Sequence, residues 1–481
     1  MTAPPARPRN APHVIVLGGG ACGMSAAMEL LRLGLRATVI EREPRVGGLC
    51  GTHERDGWRF DLGGHRFITQ SRDIDALVRG LLEGDLLERR RSSVILNGGR
   101  RFKYPLELDD VVRNFGLVRG ARALASYGVE RLRSRLAPLR DRSFRDWVTH
   151  RFGGELYGAF FGPYTGKLWG LAPEDISADW AAERISLPSL ADVALRLLHV
   201  PRPGVRTYAR RYLYPRLGIG QIFERSAQVI AARGGSVRTG DEVIGLCASA
   251  GQVRSVRVRG ARGEEELACD AVISTISLPV LARMTGPLPA SVERSARRLR
   301  FRAIRLLNLQ LDGPPVSPHT WMYVSEPGYV MSRIQEPLHR SPHMAPAGTT
   351  SLMLEIPCDA GDALWSCSDG ELYERCLRDL ERLGIHGLRT RTRGFFSTFV
   401  REGYPIYHLD YVADRDAVLA HVARTQGLVS CGRQGAFRYM FMDSAMQMGL
   451  DAARSLAAGR QLAPLPAHAT RALYEGTVLT A

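Results

Sequence analysis

HVIVLGGGACGMSAAMELLRLGLRATVIE, residues 13–41, decides the fold. His13 to Leu17 reads as a short buried strand, the glycines after it as a turn, the run to Leu33 as a helix, and the next apolar run, ending at Glu41, as a second strand. Strand, helix and strand in that order make a βαβ unit. Gly18, Gly20 and Gly23 form GxGxxG at the turn from strand to helix. The first glycine permits a tight turn, the second lets a pyrophosphate approach the backbone, and the third lets helix and strand pack closely. The helix N-terminus then faces the anion. Glu41 stands where a ribose-binding acid belongs and favours a free 2′-hydroxyl over a 2′-phosphate.

Outward from this unit the pattern changes. Residues 106–215 read as mostly helical, with an arginine-rich amphipathic stretch from Val111 to Arg140 and a second helical block from Phe144 to Phe161. A helix from Gln221 and short strands at Ser236–Arg238, Gln252–Arg259 and Ala271–Ser274 look like a return to the first sheet. Alternating stretches such as AIRLLNLQL and TSLMLEIP between Arg302 and Phe399 suggest an antiparallel sheet. A strand at Leu428–Cys431 and a helix around Ser444–Leu456 close the chain. The expected fold is α/β and Rossmann-like, in two domains. Residues 1–105, 216–290 and 401–481 form a discontinuous nucleotide domain, 106–215 a helical insertion, and 291–400 an antiparallel-sheet substrate domain.

The 481 residues carry 65 Lys+Arg against 49 Asp+Glu, a formal +16, and are 45% hydrophobic. That composition excludes a disordered tail and a small disulfide scaffold. Lysine occurs only at Lys103 and Lys167, so the charge is arginine, without the basic and aromatic interleaving that nucleic-acid binding favours. Val14 to Leu31 is broken by glycines, and no apolar run reaches the ~18 residues of a membrane span. The eight cysteines show no zinc-like spacing, so no metal is expected. The N-terminus lacks an apolar signal core, and a cytoplasmic location is expected. The Val111–Arg140 stretch, with periodic apolar residues and many arginines, has the pattern of a helix that lies on an anionic bilayer, and is read in preference as a solvated face packed on a core.

After Glu41 the chain continues REPRVGGLCGT, with Arg42, Gly47 and Gly48. This resembles the extended signature of the two-domain flavoproteins that include amine oxidases, protoporphyrinogen oxidase, carotene desaturases and UDP-galactopyranose mutase. The resemblance implies FAD as cofactor. It implies further that Val243, in RTGDEVIGL, lies against the adenine, and that Gly432 and Arg433, in SCGRQGAF, touch the pyrophosphate or ribityl chain.

Within that group FDLGGHRF, PYTGKLWG and KYPLEL are similar to mutase segments. The similarity implies that His65 and Lys167 lie beside the flavin, with Tyr164 and Trp169 at the substrate. Each of these residues also has a plain packing alternative. YVMSRIQEP, GYPIYHLD and RYMFMDSAMQMG imply an anion-binding cluster of Arg333, Tyr404, Tyr407, Arg438 and Tyr439. An arginine fork among phenols suits a multi-oxygen anion. The sequence departs from the mutase pattern after Arg184, where ISLPSL stands in place of a second arginine. The implied function is flavin N5 chemistry on a nucleotide sugar or related glycosyl substrate, probed against an alternative. That alternative is an oxidase or desaturase accepting hydride from a C–H next to N or O, with NAD(P)H or another small reductant or acceptor as partner. A lipid-binding escort protein and a plain nicotinamide dehydrogenase fit the intact fingerprint and its continuation less well.

Overall fold

Val14 to Leu17 is buried throughout, as a central parallel strand covered on both faces must be. In the computed structural model, which describes residues 11–104, 110, 113–114, 116–136, 140–184 and 211–459, strand His13–Leu17 pairs in parallel with Arg36–Glu41 on one side and Ala271–Ser274 on the other. Ser236–Thr239 and Leu428–Ser430 extend this sheet at its two edges, giving five parallel strands. The nucleotide unit is therefore assembled from stretches spread over most of the chain. Gln252–Gly260 does not return to it. That strand pairs antiparallel with Glu242–Ser249 and Gly263–Ala268 in a separate three-stranded sheet. The reason is its alternation: Val253, Val256 and Val258 are buried while Arg254, Arg257 and Arg259 are exposed, which suits a half-solvated sheet and not a covered one.

Helix Ala21–Arg32 packs between the helices Gln221–Ala232 and Met442–Ala457. Its contacts are backbone against backbone. A Cβ on Gly23 would lie 2.0 Å from the Gly18 carbonyl oxygen, and one on Gly449 would lie 2.1 Å from the Cys22 carbonyl oxygen. Cys22 and Cys431 bring their Sγ atoms to 3.5 Å beneath the same helix.

The second sheet has seven strands in the order Thr392–Pro405, Phe301–Asp312, Thr349–Cys358, Arg333–Gln335, Trp321–Val324, Ser93–Asn97 and Arg100–Lys103. All neighbours are antiparallel except Trp321–Val324 with Ser93–Asn97. This sheet is wider than the expected 291–400, because two strands come from before residue 105 and its edge strand runs on to Pro405. The apolar run of Ser93–Asn97 carries no sign of its partner, which lies more than two hundred residues downstream. Likewise Arg211–Pro215, expected at the end of the insertion, is a strand that pairs antiparallel with Leu86–Arg90.

The insertion is helical where it is described: Leu117–Leu136, Phe144–Phe152, Gly162–Trp169 and Ala178–Arg184. Most of the KYPLEL segment and all of ISLPSL lie outside the described residues. Among the described residues no helix is long and apolar enough to cross a membrane, and no group of three or more His, Cys, Asp or Glu is placed to hold a metal ion.

Valine at Gly449 should force the first and last helices apart at a cost of about 1–3 kcal/mol. A thermal melt of Gly449→Val should shift several degrees down. An unchanged melt would contradict this contact.

Candidate flavin and substrate site

Between the two sheets lies a cavity of about 490 Å³. Gly18, Gly20, Glu41, Arg42, Gly47, Gly48, Val243, Gly432 and Arg433 line it, and so do His65, Arg333, Tyr404 and Tyr439. The sequence-expected residues thus meet in one place from six separate segments.

At the nucleotide end the backbone forms a cradle of glycines. Gly20 and Gly47 form a parallel bridge, closed by the Gly47 N–H donating to the Gly19 carbonyl at 2.8 Å. Gly47 sits at φ 109°, open only to glycine. A Cβ on Gly20 would meet nothing closer than 3.9 Å, so the space beside it belongs to a ligand and not to the fold. Glu41 is buried at the end of its strand and accepts the Gly19 N–H at 2.7 Å and the Glu43 N–H at 2.9 Å. Burial raises its carboxyl above the usual range, against the pull of those two donors. The remaining lone pairs of the carboxylate are free to accept ribose hydroxyls.

At the other end the loop Gly63–Gly64–His65 is held by Asp61. This carboxylate is fully buried and accepts from Thr52 Oγ1 at 2.7 Å, from the Tyr214 hydroxyl and from the Ile219 N–H at 3.1 Å. His65 lies 3.9 Å from Cys50 Sγ through Nδ1 and 3.4 Å from the Leu62 carbonyl through Nε2. Burial, helped by Arg433 and Arg340, lowers its basicity, so the imidazole is neutral at pH 7. Beneath the loop runs Arg333, which donates to Glu355 at 3.1 Å; a Cβ on Gly64 would lie 2.9 Å from its Nη1. Burial alone would weaken Arg333 as a base, but the Glu355 carboxylate beside it raises it well above its ordinary value. Arg340 donates to Gln335, and Gln335 donates to Glu355. Nε of Arg333 and both Nε and Nη1 of Arg340 have no hydrogen-bond partner among the described residues. Trp321, Tyr323 and Arg66 complete this end of the cavity. Sequence reasoning missed Glu355, Gln335, Arg340, Tyr323 and Trp321. One signal was present: Glu355 is the only charge in the wholly buried strand Thr349–Cys358.

Several expected site residues stand behind the cavity wall. Gly23 is a packing glycine, as its contact with Gly18 requires. Lys167 Nζ is taken up by three carbonyls, Met331 at 2.6 Å, Glu326 at 2.9 Å and Val324 at 3.2 Å. It clamps the loop leading into the Arg333 strand, and burial lowers it to about 8. Trp169 is buried against Trp180 and Tyr404, with ring centroids 4.4 and 5.6 Å away. Tyr407 stacks on Tyr411 at 4.0 Å and its hydroxyl accepts the Tyr439 N–H at 2.8 Å, so it fixes Tyr439 from the rear. Tyr164 is half-buried 6.0 Å from the Tyr323 ring, its phenol pushed up by desolvation. Arg438 is buried and its N–H donates to the Arg433 carbonyl at 2.9 Å. Arg433 itself lies 4.5 Å over the Tyr439 ring and donates to the Gly403 carbonyl at 3.3 Å.

The family model of flavin-containing amine oxidoreductases matches residues 21–457. The chain belongs to this family. A phytoene dehydrogenase from Streptomyces griseus is 26% identical over 412 residues, 78% of this chain and 80% of that one. An L-amino-acid oxidase from Pseudechis australis is 32% identical over 117 residues, 21% of this chain and 23% of that one. Among solved structures, reduced UDP-galactopyranose mutase superposes with a TM-score of 0.79 at 21% identity, over 94% of this chain and 97% of that one. Cyclohexylamine oxidase from Brevibacterium oxydans IH-35A gives 0.66 at 16% identity, over 93% and 99%. These two likenesses show the fold. The cofactor of this family member is FAD, and the glycine cradle, the open space at Gly20 and the buried Glu41 fit its ADP half.

Because the space beside Gly20 is empty of protein, Gly20→Val should fold and purify colourless, whereas Gly23→Ala, whose Cβ meets a carbonyl, should lose stability with or without flavin. Flavin absorbance and melting temperature of both variants separate the two roles. Stoichiometric flavin in Gly20→Val would displace the cofactor from this cradle.

Lys167→Met leaves three carbonyls without their donor, two of them on the fully buried Val324 and Met331. The expected loss is about 1–3 kcal/mol for each carbonyl left dry, read as a lower denaturation midpoint with flavin retained. A midpoint equal to wild type would remove the clamp.

Proposed function

We propose that this FAD enzyme acts on an anionic glycosyl substrate of the nucleotide-sugar class, by the mutase type of chemistry at the flavin. The observation that carries the reading is Arg333, a buried guanidinium on the cavity wall with an unpartnered Nε, set among Tyr323, Tyr404 and Tyr439. FAD, when bound, supplies N5 as the centre that bonds to a glycosyl carbon or accepts hydride. The chain does the rest. Glu41 and the glycine cradle hold the ADP half. Arg333 and the phenols hold the anion, which fixes the orientation of the reacting carbon. The neutral His65 offers one N–H and one lone pair at the opposite loop, suited to hydrogen bonding and not to fixed charge. Glu355 keeps Arg333 in place, and Lys167, Trp169 and Tyr407 brace the groups in front of them.

A second reading is favoured by the Streptomyces griseus phytoene dehydrogenase, which matches along most of the chain. In it the same site accepts hydride from a C–H next to nitrogen, oxygen or an activated carbon, with net reduction of the flavin. The two readings differ in electron count: the mutase type returns the flavin in the state in which it began.

Titration of UDP, a UDP-sugar and an uncharged glycoside into FAD-loaded wild type and Arg333→Ala, followed by flavin absorbance, tests the reading. Wild type should respond to the two nucleotides. Arg333→Ala should bind them more weakly by about 2–5 kcal/mol, as expected when one member of a buried pair is removed, with flavin content unchanged. A wild-type spectrum untouched by UDP and UDP-sugar would sink the mutase type, and bleaching of oxidised flavin by a substrate without added reductant would establish the oxidase.

A further inference from the structure

The helix Leu117–Leu136 turns an apolar face to solvent, opposite the face it buries. Its inner face, with Gly120, Ala123 and Glu130, is buried, and its Ser126 hydroxyl accepts the Glu155 N–H at 3.4 Å from the neighbouring Gly153–Leu156 turn. On the opposite side Val118, Ala125, Val129, Leu132 and Leu136 follow one another at spacings of 7, 4, 3 and 4 residues, a single stripe on a helix of 3.6 residues per turn. This stripe faces solvent. Val118 is 77% exposed, Val129 49%, Leu132 59% and Leu136 78%, the largest such concentration among the described residues. The sequence expectation that these side chains pack on a core is therefore corrected: the core contact is made by the other face.

The flanks of the stripe are cationic. Arg122 and Arg133 stand along one edge and Arg135 beyond the other, with Leu124, 57% exposed, beside Arg135 and Arg131 turned further toward the inner face; all three edge arginines are exposed. The helix holds five arginines and one carboxylate, Glu130, which is buried on the inner face and accepts from Arg133 at 2.8 Å. Nearby Glu155 takes Arg122 at 3.3 Å and Arg119 at 3.8 Å on the inner side. No acidic residue of the helix lies within the stripe itself; Glu130 and Glu155 meet the edge arginines Arg133 and Arg122 from the inner side.

We propose that this face docks on an anionic lipid bilayer, with the Val118–Leu136 stripe among the acyl chains near the headgroups and the arginines on lipid phosphates. An apolar stripe bordered by cations on both sides is what interfacial helices present, and each arginine close to an anionic leaflet adds attraction that salt removes. A second copy of the chain matches it poorly, because both edges would set arginine against arginine. The chain then sits on the membrane without crossing it.

The test uses the FAD-loaded full chain and vesicle flotation. Wild type should float with vesicles of equal parts phosphatidylglycerol and phosphatidylcholine, stay down with phosphatidylcholine alone, and be released by high salt. The triple variant Val118→Ser, Val129→Ser, Leu132→Ser changes only exposed positions and should keep its flavin and circular dichroism while binding roughly tenfold more weakly or less. Arg122→Gln with Arg135→Gln should weaken binding and its salt dependence together. Leu33→Ser, at an exposed leucine elsewhere, should leave binding as in wild type. Wild type that ignores anionic vesicles, a triple variant that floats as well as wild type, or a dimer that the triple variant dissociates would each overturn the proposal.

Discussion

The fold turns on how closely backbone can approach backbone around the first helix. Gly23 under the Gly18 carbonyl and Gly449 against the Cys22 carbonyl leave no room for a methyl group. Those two contacts set the depth at which the helix lies on the parallel sheet and the position of the closing helix over it. The turn at Gly18–Gly20, the bridge to Gly47 and the left-handed start at Gly432 all follow from that depth, so the cradle for the pyrophosphate is a consequence of packing. Energetically the arrangement substitutes dense apolar and backbone contact for side-chain capping: the helix begins at Gly20 without a side-chain cap, which keeps its first N–H groups available to an anion.

The opposite wall is built on charge. Glu355 is the anchor, receiving Arg333 and Gln335, with Arg340 behind Gln335. Buried ion pairs repay their desolvation only when their remaining valences are used. Here Arg333, whose Nε has no hydrogen-bond partner among the described residues, lines the cavity, while Arg340 is fully buried behind Gln335. The outer ring of Lys167, Trp169 and Tyr407 contributes at one remove, by fixing a loop, a ring and a backbone N–H.

Local signals were read well from the sequence, and long-range ones were not. The βαβ unit was legible because three glycines and an acid at fixed offsets leave few alternatives. The discontinuous nucleotide domain followed from apolar runs that recur late in the chain. The pairing of Ser93–Asn97 with Trp321–Val324 was invisible, since strand periodicity says which face is buried and nothing about which partner covers the edge. Gln252–Gly260 was assigned to the wrong sheet although its Val and Arg alternation was there to be weighed. At the site, residues of the glycine-rich loops line the cavity. Lys167, Trp169, Tyr164 and Tyr407 were placed one layer too far forward, because a motif gives the segment and not the direction in which its side chains point. Glu355 was passed over inside an apolar strand, where a solitary carboxylate is informative in itself.

The dispersed origin of the parallel sheet has a bearing on how the molecule comes into being. Its central strand, His13–Leu17, leaves the ribosome more than four hundred residues before its edge strand Leu428–Ser430. At ~5–20 residues per second, that is a wait of roughly 20 to 80 s. Throughout it the fingerprint glycines exist without the helix that covers them, and the apolar strand edges at Val14–Leu17 stand open to wrong partners. Cofactor capture is accordingly a late event in biosynthesis, and a chain stopped short of its final helix carries the full nucleotide signature with no place to put the nucleotide.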